Sequence, residues 1–312
     1  MNKWYSGLSD RTKGILLIVA ANTLFAINLP VSREITPRWI DPFGLSQLRI
    51  TFAFISFLLL SFIISNKDGK SFSPKEHVLL FFSGIFGTTL NQLSFLAGLA
   101  KTSPVDASLI ITITPIITMI FAALIIKEHV TFKKASGVFI GMAGAALILY
   151  TAKSGGFNQT GTLEGNLIVL ISCFVYALYL VIVRPLMMNH SPIHVMKWIF
   201  FYGMFISLPF TWKYVSINPG ASAGVYFELG YALLMGTFAA YLLVAFALQM
   251  LKPTTVSMFN YIQPVLASVI AISIGQDVLN WTKPLSAALI FAGVYLVITS
   301  KSKSEIEKLS GN

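Results

Sequence analysis

Charged side chains are scarce in this sequence. They make up 11% of the 312 residues, whereas an ordinary soluble chain carries about 25%. Hydrophobic residues reach 55% and the mean hydropathy is +0.76, so the composition predicts an integral membrane protein. The formal net charge of +10 could indicate nucleic-acid binding, but Lys and Arg lie almost entirely in short loops, where they set membrane orientation. We therefore expect no nucleic-acid partner.

Cysteine is nearly absent, and acidic residues are absent from the middle of apolar segments. Cys173 is the only cysteine, which excludes an intramolecular disulfide and a cysteine-rich metal site. The Asp, Glu and His residues fall in loops or near segment ends, so we expect no proton relay at the membrane midplane. The sequence also has no Gly-x4-Gly-Lys-Ser/Thr loop for ATP phosphates. We expect no cofactor, no metal site and no catalytic residue, and hence not an enzyme.

Long apolar runs dominate the rest of the chain. A membrane-spanning helix needs about 20 mostly apolar residues, and ten runs meet this length: 14–33, 43–65, 76–100, 104–126, 134–152, 164–184, 194–213, 226–250, 254–275 and 284–300. When the N-terminus is placed in the cytoplasm, most loop Lys and Arg residues also lie on the cytoplasmic side. The sequence thus predicts a multi-pass protein of a bacterial cytoplasmic (inner) membrane, with both termini in the cytoplasm.

The two halves of the chain repeat each other. At an offset of 151 residues, Gly14, Ala26, Leu29 and Arg33 match Gly165, Ala177, Leu180 and Arg184; at 149, Gly87, Pro115, Glu128 and Gly144 meet Gly236, Pro264, Asp277 and Gly293. Each half holds five spans, an odd number, so the second copy enters the membrane from the opposite side. This predicts an all-α membrane protein with ten transmembrane helices, arranged as two inverted five-helix repeats (1–152 and 153–312) around a central cavity, as in secondary transporters.

Several stretches carry a resemblance to a known family. They are "LFAINLPVSR" in the first span, "LSQLRITFAF" in the second, "IIKEHVTFKKASGVFIGMAGAALIL" after the fourth, and "PVLASVIAISIGQDVLNWTKPLSAALIFAGVYLVI" in the second copy. The sequence resembles the EamA-type family of the drug/metabolite transporter superfamily over nearly its whole length. The resemblance implies a ten-helix fold that works by alternating access, with relatives that export amino acids and related metabolites. The sequence departs from the family pattern at Asp277, which follows "IGQ" at a position where family members more often have Gly-Glu.

Polar side chains inside the spans are the candidates for a substrate cavity, because in lipid they must find partners or water. They are Asn22, Asn28, Arg49, Asn91, Gln92, Thr112, Tyr176, Tyr179, Tyr241, Asn260, Tyr261 and Gln263. The hydroxyl and amide groups could instead bond within or between helices, the tyrosines could anchor the interface, and Arg49 could extend to the headgroups. The resemblance places the third and ninth spans, with Asn91, Gln92, Asn260 and Gln263, at the cavity.

Three prolines and two acidic residues are predicted to shape the helices. Pro30, Pro115 and Pro264 lie inside apolar spans, where proline removes a backbone donor and breaks or loosens a helix. Glu128 and Asp277 end the fourth and ninth spans, and the C-terminus of a helix repels anions. We therefore expect each of the two to have a cationic or N-terminal partner nearby and a structural or gating role.

The function predicted from these features is secondary transport, in the export direction, of small organic metabolites by alternating access. Amino acids or related zwitterions are the best guess, because the guanidinium of Arg49 suits bidentate capture of a carboxylate. The expected partners are a small-molecule substrate and the lipid bilayer; a monomer and a homodimer both stay open. Two alternatives remain. A membrane-embedded enzyme acting on lipid-like substrates would need clustered acidic residues or histidines, but the adjacent Glu128 and His129 would point about 100° apart on a helix. The other alternative is a channel.

Overall fold

The computed structural model describes residues 8–64, 71–102, 104–154, 162–273 and 281–300. Within these ranges the regular structure is helical, apart from one β-bridge between Ile40 and Ile217. Seven helical segments of the described residues are long and apolar enough to cross a membrane. The prediction of an all-helical, multi-pass membrane protein is confirmed at this level.

The first half contains seven α-helices and one π-helical turn. They are α1 (Asp10–Ile35), α2 (Pro42–Ile63), α3 (Pro74–Gly84), the first π-turn (Ile85–Leu90), α4 (Asn91–Lys101), α5 (Pro104–Ile111), α6 (Thr114–Ile125) and α7 (Phe132–Ser154). Local sequence explains where several of them begin. Asp41 caps α2 by accepting a bond from the Phe43 amide at 2.8 Å, and Pro42 occupies the first turn, where its missing N–H is not needed.

The second half repeats this order. Its elements are α8 (Leu163–Ile182), α9 (Arg184–Asn189), α10 (Pro192–Thr211), a 3₁₀ turn (Trp212–Tyr214), α11 (Ala223–Leu233), the second π-turn (Leu234–Ala239), α12 (Ala240–Met250), α13 (Pro253–Met258), a 3₁₀ turn (Phe259–Tyr261), α14 (Ile262–Ser273) and α15 (Thr282–Ile298).

The two π-turns give structural evidence for a repeated unit. The second begins and ends 149 residues after the first, and the helices on either side of it keep the same bounds at that offset. π-Helical turns are rare and frequently mark functional sites. Two such turns at equivalent positions therefore indicate that the same structural unit occurs in both halves. A contact pair also repeats: a Cβ at Gly87 would overlap the ring of Tyr179, and a Cβ at Gly236 would overlap the amide of Asn28.

Helices of the two halves pack against each other within the described residues. Each of five helices of the first half contacts one of the second: α1 with α12, α2 with α10, α4 with α8, α6 with α13, and α7 with α15. The α7–α15 contact is the closest and depends on two glycines. A Cβ at Gly137 would lie 2.7 Å from the carbonyl oxygen of Gly293, so larger residues would push these helices apart.

The three prolines do not act alike. The helix before Pro115 is interrupted at Thr112 and Ile113, between α5 and α6, and the 3₁₀ turn Phe259–Tyr261 comes shortly before Pro264. Pro30 instead lies inside α1, which continues to Ile35. The expected helix break at Pro30 is therefore wrong, because a proline removes one backbone bond without ending a helix whose flanking turns are held by packing.

Candidate functional site

A cavity of about 100 Å³ lies between the two halves. Its walls come from α1, α2, α4, α5, α6, α8, α12, the 3₁₀ turn Phe259–Tyr261 and α14. Both interrupted helices therefore reach the cavity, one from each half. Irregular backbone inside a membrane protein occurs where it is buried in protein or lines a polar cavity. The two helix interruptions, before Pro115 and before Pro264, lie at such a cavity.

Most of the predicted polar residues line this cavity. They are Asn28, Arg49, Asn91, Gln92, Tyr176, Tyr241, Asn260 and Gln263. The other lining residues were not among the predicted site residues: Phe25, Leu29, Phe95, Ile111, Thr114, Ser172 and Cys173. Most of these are apolar or small, so polarity alone could not single them out.

The repeat would have found several of the missed residues. Four pairs of lining residues are related by the repeat offsets of 149 and 151: Phe25 with Tyr176, Gln92 with Tyr241, Ile111 with Asn260, and Thr114 with Gln263. The cavity therefore lies at the interface between equivalent parts of the two halves. Thr114 in particular could have been predicted as a lining residue, because it lies 149 residues before Gln263, which is a predicted site residue.

Four predicted site residues lie outside the cavity lining. Asn22 is fully buried behind the wall, where its Oδ1 accepts a bond from Gln263 Nε2 at 2.8 Å. The Thr112 hydroxyl donates to the Leu109 carbonyl at 2.6 Å, at the helix interruption. Asn22 therefore orients a lining residue, and Thr112 completes local backbone bonding.

The two tyrosines outside the lining serve helix packing. The Tyr179 ring fills the space above Gly87, and its hydroxyl lies 3.6 Å from the sulfur of Met196. The Tyr261 hydroxyl donates to the Val138 carbonyl at 3.1 Å, which joins the ninth span to α7. Both side chains are fully buried between helices and are not part of the cavity lining.

A small hydrogen-bond network fixes part of the cavity wall. Asn91 Nδ2 donates to the Ser172 carbonyl at 3.2 Å, which joins α4 to α8. The Tyr241 hydroxyl lies 3.2 Å from both the Gly87 carbonyl and Asn91 Oδ1. These groups are thus largely satisfied by one another and hold their positions in the wall.

Arg49 is the charged group of the cavity wall. Its side chain is buried, at 4% exposure, so it does not extend to the membrane surface. Nε donates to the Thr237 hydroxyl at 2.7 Å, and Nη2 donates to the Gly236 carbonyl at 3.1 Å. Both acceptors belong to the second π-turn, so a side chain from the first half is held by the second half.

Some polar atoms of the wall are not satisfied. In the part of the chain that the structure describes, four buried side-chain atoms of cavity residues lack a hydrogen-bond partner: Asn28 Oδ1, Arg49 Nη1, Gln92 Nε2 and Gln92 Oε1. Buried polar groups are nearly always bonded, and a group without a partner destabilises the fold by about 1–3 kcal/mol. Each of these atoms is enclosed by protein rather than open to the cavity, so they are an unsatisfied part of the wall.

The described residues that line the cavity carry no acidic group. Among the lining residues there is no Asp, Glu or His, and the described residues contain no cluster of three such groups that could hold a metal ion. Glu128 follows α6 and forms a buried ion pair with Lys134, so its expected cationic partner is found. Asp277 lies outside the described residues.

The sequence matches a model of the EamA-like transporter family over residues 12–150 and again over residues 163–299. The chain belongs to the EamA-like transporter family. The two matched regions together cover most of the chain and agree with the two halves of the fold. Family membership supports a membrane transporter role, with a small-molecule substrate and a lipid environment, and confirms the predicted resemblance.

Individual relatives agree with this assignment. The chain is 27% identical to "Uncharacterized transporter YyaM" of Bacillus subtilis (strain 168) over 70% of this chain and 71% of that one. It is 24% identical to "WAT1-related protein At3g53210" of Arabidopsis thaliana, over 89% and 80% of the two chains. A solved crystal structure superposes with a TM-score of 0.71 at 16% identity, covering 92% of this chain and 97% of that chain, which shows a shared fold.

Proposed function

We propose that this protein is a secondary transporter that exports small organic metabolites, with amino acids or related zwitterions as the favoured substrates, and that the cavity between the halves binds them. The observation that carries the proposal is the position of the cavity. It lies at the interface of two repeated units and is lined by four pairs of repeat-equivalent residues, which is where secondary transporters built from repeats bind their substrates.

The proposed topology has ten membrane-spanning helices. The described helices group into five segments per half once α3 and α4, α5 and α6, α8 and α9, α11 and α12, and α13 and α14 are each joined. Five is an odd number, so the halves (1–152 and 153–312) have opposite orientations in the membrane. Both termini then face the cytoplasm, the side that carries most loop Lys and Arg residues.

Alternating access would use the paired helices of the two halves. Each major contact joins a helix of one half to a helix of the other, so a rocking motion of one half against the other opens the cavity first to one side and then to the other. The interrupted helices before Pro115 and Pro264 supply backbone that can adjust without breaking a continuous helix. The buried pair Glu128–Lys134 joins two residues of the first half and would fix the connection between α6 and α7.

Flux into proteoliposomes tests the proposal. The purified protein should transport a metabolite from a broad panel with a rate that saturates as the concentration rises. Asn260→Ala and Gln263→Ala should each reduce this flux without loss of folded protein, because both side chains line the cavity. Asn218→Ala is the matched control, because Asn218 lies in an exposed loop and bonds the Arg38 carbonyl.

Two results would contradict the proposal. One is inactivity towards the whole metabolite panel by protein that is folded and correctly reconstituted. The other is flux that rises linearly with concentration and is accompanied by ionic current in electrical recordings, which would indicate a channel.

A further inference from the structure

We propose that Asn22, which lies behind the cavity wall, determines which end of the Gln263 amide the cavity presents to a ligand. The bond between the two residues leaves the oxygen of Gln263, and not its bonded nitrogen, as the group for recognition. The cavity therefore selects a substrate that donates a hydrogen bond at this point, from an N–H or an O–H group. This inference rests on the proposed function, because it takes the cavity as the substrate site.

The chain of hydrogen bonds begins at a group that cannot be reversed. A backbone carbonyl oxygen only accepts, and the Ile18 carbonyl accepts a bond from Asn22 Nδ2 at 2.9 Å. The two ends of a side-chain amide have nearly the same shape, but this bond identifies the end of Asn22 that faces Ile18 as the nitrogen. The other end, Oδ1, is therefore the one that meets Gln263. Asn22 is fully buried, so water does not compete for either bond.

The orientation of Asn22 in turn fixes that of Gln263. An amide oxygen only accepts, so the end of Gln263 beside Asn22 Oδ1 is the nitrogen, Nε2, at 2.8 Å. Among the described residues Gln263 Oε1 has no hydrogen-bond partner, and it is not one of the enclosed polar atoms of the wall. Gln263 is half-buried and lines the cavity. Its oxygen is therefore an acceptor that the cavity holds in a fixed orientation.

The neighbouring amides of the wall are arranged differently. Asn260 also lines the cavity and makes no hydrogen bond with any described residue, so its amide is free to turn and present either end. Asn91 bonds within the wall at both ends: Nδ2 donates to the Ser172 carbonyl, and Oδ1 lies 3.2 Å from the Tyr241 hydroxyl. Gln263 thus combines a fixed orientation with an oxygen left for a ligand.

A fixed acceptor distinguishes ligands through desolvation. A ligand that fills the cavity removes water from Gln263 Oε1, and an N–H or O–H group of the ligand replaces the lost bond. An ether oxygen or a methylated nitrogen at the same place leaves a buried acceptor without a partner, which is more unfavourable than one bond is favourable. A free amide avoids this loss by turning, whereas Gln263 must first break its bond to Asn22.

Binding of matched compounds to the purified full-length protein tests the proposal. Each proteinogenic L-amino acid is paired with its N,N,N-trimethyl derivative, which keeps the positive charge and has no N–H on that nitrogen. Serine, threonine and tyrosine are also paired with their O-methyl ethers, so the two pairings distinguish an N–H from an O–H donor. Thermal shift detects binding, and calorimetry gives the dissociation constants. We expect at least one donor compound to bind about tenfold or more tightly than its methylated counterpart.

Three substitutions connect this preference to the two residues. Methyl groups also add bulk, so the quantity compared between proteins is the ratio of the two dissociation constants of a pair. Gln263→Met removes the acceptor and Asn22→Leu lets the Gln263 amide turn, so each should lower the ratio by about threefold to tenfold. Asn22→Ala replaces Asn22→Leu if that variant does not fold. Asn22→Asp should keep the wild-type ratio, because a carboxyl oxygen still accepts from Gln263 Nε2.

Thr23→Val is the matched control. Thr23 follows Asn22 in α1, and its hydroxyl donates to the Val19 carbonyl at 3.0 Å, four residues back, as Asn22 donates to Ile18. It is not part of the cavity lining. The substitution therefore removes a similar polar group from the same helix, and the ratio should stay that of the wild type.

Three results would overturn the proposal. They are a wild type that binds no donor compound more tightly than its methylated counterpart, an Asn22→Leu variant with the wild-type ratio, and an Asn22→Asp variant whose ratio falls as far as that of Asn22→Leu. Saturable flux of a metabolite together with any of these would remove the role of Asn22 and leave the proposed function standing. Absence of all flux by folded, reconstituted protein would instead refute the proposed function.

Discussion

Replacing Gln92 by methionine should make the protein more stable. Neither polar atom of the Gln92 amide has a partner within the described structure, and the side chain is 2% exposed. Methionine has a similar shape and no strongly polar atom. Removing an unsatisfied buried group should raise the free energy of unfolding by about 1–3 kcal/mol.

The same substitution at Gln47 should have the opposite sign. Gln47 Oε1 accepts bonds from the hydroxyls of Ser207 at 2.6 Å and Thr211 at 2.7 Å, and Nε2 donates to Thr51 at 3.0 Å. Interhelical bonds in a membrane are worth about 0.6 kcal/mol each on average. Losing these bonds should lower the free energy of unfolding by about 1–2 kcal/mol.

Thermal unfolding of the two variants in the same detergent, without ligand, measures this difference. The melting temperature should rise for Gln92→Met and fall for Gln47→Met relative to the wild type. If Gln92→Met is destabilised as much as Gln47→Met, the Gln92 amide has a structural partner, and the reasoning from its two unsatisfied atoms is refuted.

Two further predictions concern packing and charge. Gly236→Ala should reduce flux about tenfold or more, because a small misplacement of groups that hold a substrate has a large effect and a Cβ there overlaps the amide of Asn28, which lines the cavity. Gly230→Ala in the preceding helix α11, where a Cβ meets nothing within 4 Å, should transport normally. Equal flux from both variants would show that the close approach is not needed. Glu128→Gln should lower the free energy of unfolding by about 3–5 kcal/mol, because it leaves the buried Lys134 without its partner. Glu164→Gln removes the partner of Lys101 in an exposed pair, and it should change the free energy of unfolding by about 0–1 kcal/mol. If unfolding measurements give the same loss of free energy for both variants, the expectation that the buried Glu128–Lys134 pair stabilises the fold more than the exposed pair is contradicted.

The repeat and the helical segments could be predicted from the sequence. Gly87 and Pro115 recur as Gly236 and Pro264 at one offset, and the structure keeps that offset in the bounds of its π-turns. Residues with special backbone properties retain their positions when a unit is duplicated, and apolar length marks the spans. The π-turns themselves were not predicted, because apolar sequence does not distinguish one extra residue in a turn from a regular helix.

The cavity lining could be predicted only in part. Helical periodicity shows which residues share a face but not which way that face is rotated. Tyr261 and Gln263 illustrate this: they lie two residues apart, about 200° around a helix, so only one of the two can face the cavity, and the sequence does not say which. Gln263 lines the cavity while Tyr261 packs against α7. No signal in the segment around Cys173 places that residue in the wall, although it lines the cavity.

Chemical labelling of Cys173 tests the central claim, that the cavity is the substrate site. Cys173 is the only cysteine of the chain and it lines the cavity, so the wild-type protein can be used without engineering. The rate of its modification by a small thiol reagent is followed by mass spectrometry, with and without a saturating concentration of a transported metabolite. A slower rate with that metabolite, and not with one that is not transported, is the predicted result. An unchanged rate under saturating substrate would contradict the account.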